Sequence, residues 1–136
     1  MLDAKQLRDA FEKDYQLGLP QLDKIHEEFV TLLLETINSS ADAFIRNFQR
    51  LFEHTQLHFF EEEARMAAFE FAGFAEHSAD HALLLQVLEQ MNEAVAKGET
   101  DTAKAWLNEQ LPEWFDRHTR TMDSAAADWV GAHAVG

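Results

Sequence analysis

Apolar residues recur every three or four positions in four stretches of the chain, the spacing that puts them on one face of a helix. The first stretch opens at Pro20, a residue suited to a first helical turn, and runs Leu22, Ile25, Phe29, Leu33, Ile37. Asn38-Ser39-Ser40 ends it, and Ser39 or Ser40 can cap the next helix. That helix is read through Phe44, Phe48, Leu51, Thr55, His58, Glu62, Met66 and Phe69, with a break at Gly73. The third stripe is Phe74, His77, His81, Leu84, Leu88, Met91, Val95, closed by Lys97-Gly98 as a glycine cap. Thr100 or Asp101 caps the fourth, whose stripe is Leu107, Leu111, Trp114, His118, Met122, Ala125, Trp129. Pro112 lies inside it and removes a backbone donor, so a kink or break is expected there.

The pattern predicts an all-α fold. Short connections make consecutive helices antiparallel neighbours in an up-down-up-down four-helix bundle. Residues 1–19 form an N-terminal arm with a short helix at 3–13, the bundle spans about 20–130, and the tail after Val130 frays. The whole chain, 1–136, reads as one domain.

Composition narrows the chemistry. The chain contains no cysteine, which excludes disulfides, thiolate zinc sites and iron–sulfur clusters, so a metal must use nitrogen and oxygen ligands. A net charge of −14 disfavours nucleic acid and anionic membrane surfaces. No apolar run approaches a membrane span, and Met1-Leu2-Asp3-Ala4-Lys5-Gln6 lacks the form of a signal peptide. The expectation is a soluble, cytoplasmic protein.

Each stripe carries polar residues where a core side chain is due. His26 shares a face with Phe29 and Leu33. His58 and Glu62 are four apart, His77 and His81 repeat that spacing, and His118 follows Trp114 by four. Asp123 only flanks the fourth stripe. A lone helical histidine is usually a satisfied core residue, and an isolated pair at this spacing is common by chance. The whole set, present on every helix and facing inward, points to metal. A buried Glu62 without a cation is costly, and none of the 11 Lys and Arg lies on the stripes. Five imidazoles and two carboxylates exceed the four ligands of one zinc; two six-coordinate ions sharing carboxylate bridges would use them all, and such a set suits iron. Of Glu61-Glu62-Glu63 only Glu62 has the inward phase, and its neighbours are read as a solvated face. His133 is read as solvated too.

These residues resemble a known family. Leu17-Gly18-Leu19-Pro20 with Asp23-Lys24-Ile25-His26, His58-Phe59-Phe60-Glu61-Glu62-Glu63 with Met66, His77-Ser78-Ala79-Asp80-His81, and Trp114-Phe115-Asp116-Arg117-His118 with Asp123 are similar to the hemerythrins, in particular the bacterial single-domain form. The resemblance covers roughly residues 11–125. It implies that His77, His81 and His118 bind one iron and His26 and His58 the other, which keeps an open position. Glu62 and Asp123 would bridge the two, with an oxo or hydroxo group as third bridge. It implies reversible dioxygen binding, for storage, delivery or sensing, rather than enzymatic turnover.

Two other functions stand beside that one: a di-iron oxidase or peroxidase, and a redox or oxygen sensor acting through a protein partner. No sequence feature identifies such a partner. Three positions depart from the family's usual residues. His54 stands where Tyr is frequent and reads as a partner to a ligand, a surface residue or an eighth ligand. Phe115, beside Trp114, replaces an aliphatic residue of the oxygen pocket. Phe11 stands where Trp is usual.

Overall fold

The computed structural model describes residues 3–133, and no strand occurs among them. Helices α1 (Ala4–Asp14), α2 (Pro20–Ile37), α3 (Ala41–Ala68), α4 (Phe74–Ala96), α5 (Asp101–His118) and α6 (Ser124–His133) follow in order, with a π-helical turn at Thr119–Asp123 joining the last two. The helical backbone continues through His118 and Ser124, so α5, the π turn and α6 make one continuous helical stretch.

Local chemistry sets most of the ends. In α1 the Asp3 carboxylate accepts from Gln6 N, and the Gln6 side chain accepts from Asp3 N, a reciprocal cap. Asp23 in the first turn of α2 accepts from Leu17 N and Gly18 N, folding the arm onto that helix through Gly18 at φ +84°. Ser40, rather than Ser39, caps α3 by accepting from Ala43 N. Helix α3 ends before the expected Gly73: Glu70 takes the left-handed position at φ +53°, while Phe71 N donates to Met66 O and Glu70 N to Ala67 O. Gly73 instead starts α4, where an added Cβ would lie 2.8 Å from the Phe71 ring. Gly98, at φ +89°, closes α4 as expected. Thr100 occupies the cap position of α5 but makes no side-chain cap bond.

Pro112 does not divide the last helix. It is buried, as are Leu111 and Phe115, and α5 runs across it from Asp101 to His118. The helix continues despite one missing donor. The irregularity falls later, in the π turn. The last helix is also longer than expected, because α6 continues past Val130 to His133, and Trp129 Nε1 donates to Phe69 O at 2.7 Å. Residues 134–136 lie outside the described residues. His133 is exposed and stacks on Trp129.

Helix α2 packs on α3, α3 on α4, and α2 on α5, while α6 closes against α3. The buried stripes of α2, α3, α4 and α5 face one another, with Phe29, Leu33, Phe44, Phe48, Leu51, Leu84, Leu88, Leu107 and Leu111 at the centre. Helix α1 lies across α2 and α5 through Ala4, Leu7, Phe11 and Tyr15. Phe11 is thus core packing. The Tyr15 hydroxyl donates to Asp116, which also accepts from Arg120 Nε; the Arg120 guanidinium lies over the Tyr15 ring. The arm is therefore part of the folded body. No helix among the described residues is long and apolar enough to cross a membrane.

Candidate metal centre

Below the Leu and Phe layers the core turns polar. His26, His58, Glu62, His77, His81, His118 and Asp123 are all buried, and all seven converge. Helix α2 supplies His26, α3 His58 and Glu62, α4 His77 and His81, α5 His118, and the π turn Asp123. Each histidine presents Nε2 to the centre.

The two carboxylates divide the imidazoles into two groups. Glu62 Oε1 lies 2.6 Å from His77 Nε2 and 3.3 Å from His81 Nε2. Its other oxygen, Oε2, lies 3.0 Å from His58 Nε2 and 3.8 Å from His26 Nε2. Asp123 repeats the division: Oδ1 is 3.0 Å from His77 Nε2 and 3.1 Å from His118 Nε2, whereas Oδ2 is 3.4 Å from His26 Nε2. One group has three imidazoles, the other two. Each carboxylate turns one oxygen to each group.

Asp123 reaches this place through the π turn. Five residues along an α-helix rotate a side chain about 500°, leaving it roughly 140° from the starting face. The i→i+5 bond, seen where Ser124 N donates to Thr119 O, adds one residue to the turn and brings Asp123 back beside His118. The phase of everything downstream shifts by one. Asp123, Ala126, Ala127 and Val130 are buried, where the stripe predicted Met122, Ala125 and Trp129.

Electrostatics show what the cluster asks for. Burial opposes a charge on Glu62, yet the imidazoles of His26, His58, His77 and His81 hold its carboxyl well below the usual carboxylate range. Burial and the Glu62 charge push Asp123 up, and His118, His77 and His26 outweigh them. Burial alone would lower His77, but Asp123 and Glu62 raise it to about 9. His26 is raised, against the effect of its burial, by Glu62 and Asp123; His58 is lowered by burial and by the neighbouring His26. Two buried carboxylates thus depend on the surrounding imidazoles to offset their burial.

A cation suits the same anions better. Nε2 of His26 and of His77, Glu62 Oε1 and Asp123 Oδ1 are buried without a hydrogen-bond partner among the described residues, although they crowd within contact distance. Orphaned lone pairs aimed at a common point are what a metal ligand set leaves when counted as hydrogen bonds. The all-nitrogen, all-oxygen donor set fits an intermediate first-row ion such as iron.

Aromatic rings wall the centre. Phe59 stacks on His81 at 3.8 Å between centroids, and Trp114 stacks on His118 at 4.4 Å. Phe115 lies edge-on to His26 at 5.5 Å and parallel to Phe29. Phe29, Phe59, Trp114 and Phe115 enclose a cavity of about 10 Å³ beside His26, His58, His118 and Asp123. That is at the lower limit for one water. A second recess, of about 40 Å³, reaches Glu62 and Asp123 from the side of Leu22, Ile25, Ala126, Ala127 and Val130.

His54 is not brought into the cluster. It faces α2 on the surface, with Nε2 3.4 Å from Glu28 Oε2, and lines an outer cleft with Lys24 and Arg50. Its ring stands 6.4 Å from that of His58. Sequence reasoning missed three contacts. Glu63, read as solvated, is half-buried, with Oε2 3.2 Å from His81 Nδ1 and Oε1 accepting from Ser78. Asp80 Oδ2 lies 2.7 Å from His118 Nδ1. Phe59 stacks on a site histidine. The signal for the first two was slight: an acidic residue next to a ligand candidate in the chain, serving a histidine on the neighbouring helix.

Comparison with known proteins agrees with this geometry. The family model for the hemerythrin HHE cation binding domain matches residues 17–130. A bacteriohemerythrin from Ralstonia nicotianae is 31% identical over 114 residues, covering 84% of this chain and 82% of that protein. No solved structure matches the chain. A buried histidine–carboxylate cluster in a helical bundle, the family match over most of the length and the bacterial relative agree: the chain belongs to the hemerythrin family.

Proposed function

We propose that this protein binds dioxygen reversibly at a non-haem di-iron centre, without chemical turnover. His77, His81 and His118 hold one iron, His26 and His58 the other, and Glu62 and Asp123 bridge them with an oxo or hydroxo group. The bundle is read as up-down-up-down over α2, α3, α4 and the continuous last helix, one hemerythrin-like domain over 1–136, working in the cytoplasm.

The division of each carboxylate's two oxygens between a three-imidazole and a two-imidazole group carries this reading. With both carboxylates and a common bridge counted, the three-histidine position is filled and the two-histidine position is one ligand short. The aromatic cavity reaches His26 and His58, the group with the shortfall, and also borders His118 and Asp123. Two ferrous ions held by these residues would supply the electrons that reversible dioxygen binding needs.

The chain's own residues make binding reversible. Glu62 and Asp123 keep the two positions together. Phe29, Phe59, Trp114 and Phe115 leave room for about one water at most, which limits the outside protons that would drive irreversible oxidation. The histidine-rich set differs from the carboxylate-rich, Glu-x-x-His sites of ferritin-like proteins, which supports binding over oxidation.

Anaerobic reduction followed by oxygen should give a visible absorption band that vanishes on deoxygenation. No reversible band would refute the proposal, and iron-dependent turnover of an added reductant would favour an oxidase or peroxidase. Capture of a protein partner in one oxidation state alone would favour a sensor.

A further inference from the structure

The five imidazoles do not stand on equal terms. His81 Nδ1 lies 3.2 Å from Glu63 Oε2, and His118 Nδ1 lies 2.7 Å from Asp80 Oδ2. The Nδ1 atoms of His26, His58 and His77 have no partner among the described residues. Both partnered rings belong to the three-imidazole group, and both partners come from the preceding helix in the chain. Glu63 on α3 serves His81 on α4, and Asp80 on α4 serves His118 on α5.

Each of these carboxylates is itself held. Ser78 donates to Glu63 Oε1, fixing the carboxylate that His81 meets. Arg117, next to His118 in the chain, brings its guanidinium 3.9 Å from Asp80 Oδ1. Phe59 covers one face of His81 and Trp114 one face of His118, which restrains both rings.

We propose that Glu63 and Asp80 are positioning residues for one metal of the pair, acting on it through His81 and His118. This rests on the di-iron reading above. With Nδ1–H donating to a carboxylate, the ring keeps its proton at Nδ1 and turns the Nε2 lone pair to the centre. Donation to a carboxylate also makes the imidazole a stronger ligand. The three-histidine position gains two such strengthened donors, and the two-histidine position gains none. The three-histidine iron is therefore bound more tightly and stabilised in its ferric form. The two-histidine iron is the more exchangeable.

The test uses the iron-loaded full chain with Glu63→Gln, Asp80→Asn and both together. Glu53→Gln, an exposed change on α3, is the charge-matched control. Iron release to a chelator and the midpoint potentials of the two irons are measured alongside melting temperature. Each amide variant should release one of its two irons about 10- to 100-fold more readily, the scale on which such outer partners act. The same iron's midpoint potential should rise, the other's should hold, and the double variant should go further. Ser78→Ala, which loosens Glu63 without altering any charge, should move the same iron in the same direction by less. Variants that release iron and titrate as the unmodified protein does would overturn the proposal. So would equal loss from both positions, which marks a merely structural role. If the unmodified chain does not take up a pair of irons, the di-iron reading fails and this assignment falls with it. A pair of irons indifferent to Glu63 and Asp80 sinks this assignment alone.

Discussion

The three-histidine and two-histidine sides of the centre are built from similar sequence spacing but placed in different surroundings. His77 and His81 lie four apart on α4; His58 and Glu62 lie four apart on α3. On the first side, rings are stacked under Phe59 and Trp114 and tied through Nδ1 to Glu63 and Asp80. On the second, His26 and His58 meet edge to face at 4.9 Å and border the aromatic cavity. One group is braced through Nδ1; the other is not. Spacing brings the side chains together, and the neighbours decide which rings are tied in place.

The comparison depends first on the groups both sides share. Glu62→Ala should remove the largest amount: both irons are lost, and His58 and His81 are left without a carboxylate at Nε2. Removing one partner of a buried charged set costs about 3–5 kcal/mol, so thermal melting should fall sharply along with iron content by elemental analysis. Two irons retained in this variant would contradict the bridging role.

Next come changes confined to one side. His58→Ala should keep about one iron per chain, at the three-histidine position, and lose the reversible oxygen band. His81→Ala should hold less iron than His58→Ala, because it breaks the braced side. Equal iron content in the two would erase the proposed asymmetry.

A smaller effect is expected at the cavity wall. Phe115→Leu trims the ring that packs on Phe29 and His26, at a cost of about 1–3 kcal/mol for partial loss of core volume. The added space should speed both oxygen release and autoxidation in stopped-flow absorption. Unchanged rates would mean that Phe115 does not control the pocket.

The smallest effect lies outside the centre. Tyr15→Phe removes the bond from α1 to Asp116 and should cost about 1 kcal/mol, leaving iron content intact. The Tyr15 phenol is pushed up from 10.0 to about 12, by burial first and by its bond to Asp116 next. Its raised value means that the neutral form is the one the fold favours. That contribution is whole below pH 10 and is lost as pH rises through about 12. Tyr15 is the chain's one tyrosine, so tyrosinate absorbance reports it alone.

Much of this was legible in the chain because α2, α3 and α4 are uninterrupted. His26, His58, Glu62, His77, His81 and His118 keep the phase of the apolar residues around them, and all are buried as that phase requires. Asp123 was not legible from phase, since the π turn shifts the register after His118, and nothing in Thr119-Arg120-Thr121-Met122 announces it. The resemblance to a known family, not the periodicity, brought Asp123 into the ligand set. Pro112 pointed to a kink or a break, and of the two the break does not occur: α5 runs across it from Asp101 to His118. Glu63 and Asp80 were passed over because a one-helix pattern reports which face a residue takes, not which histidine waits across the groove.

Seven side chains that divide between two metal positions should hold two separate irons. Diffraction from crystals of the iron-loaded protein, measured at the iron absorption edge, tests it most directly. Two anomalous peaks per chain are expected. One should be bonded to Nε2 of His77, His81 and His118, the other to Nε2 of His26 and His58, with Glu62 and Asp123 each spanning both. A single peak, or iron bound without these nitrogens, would contradict it.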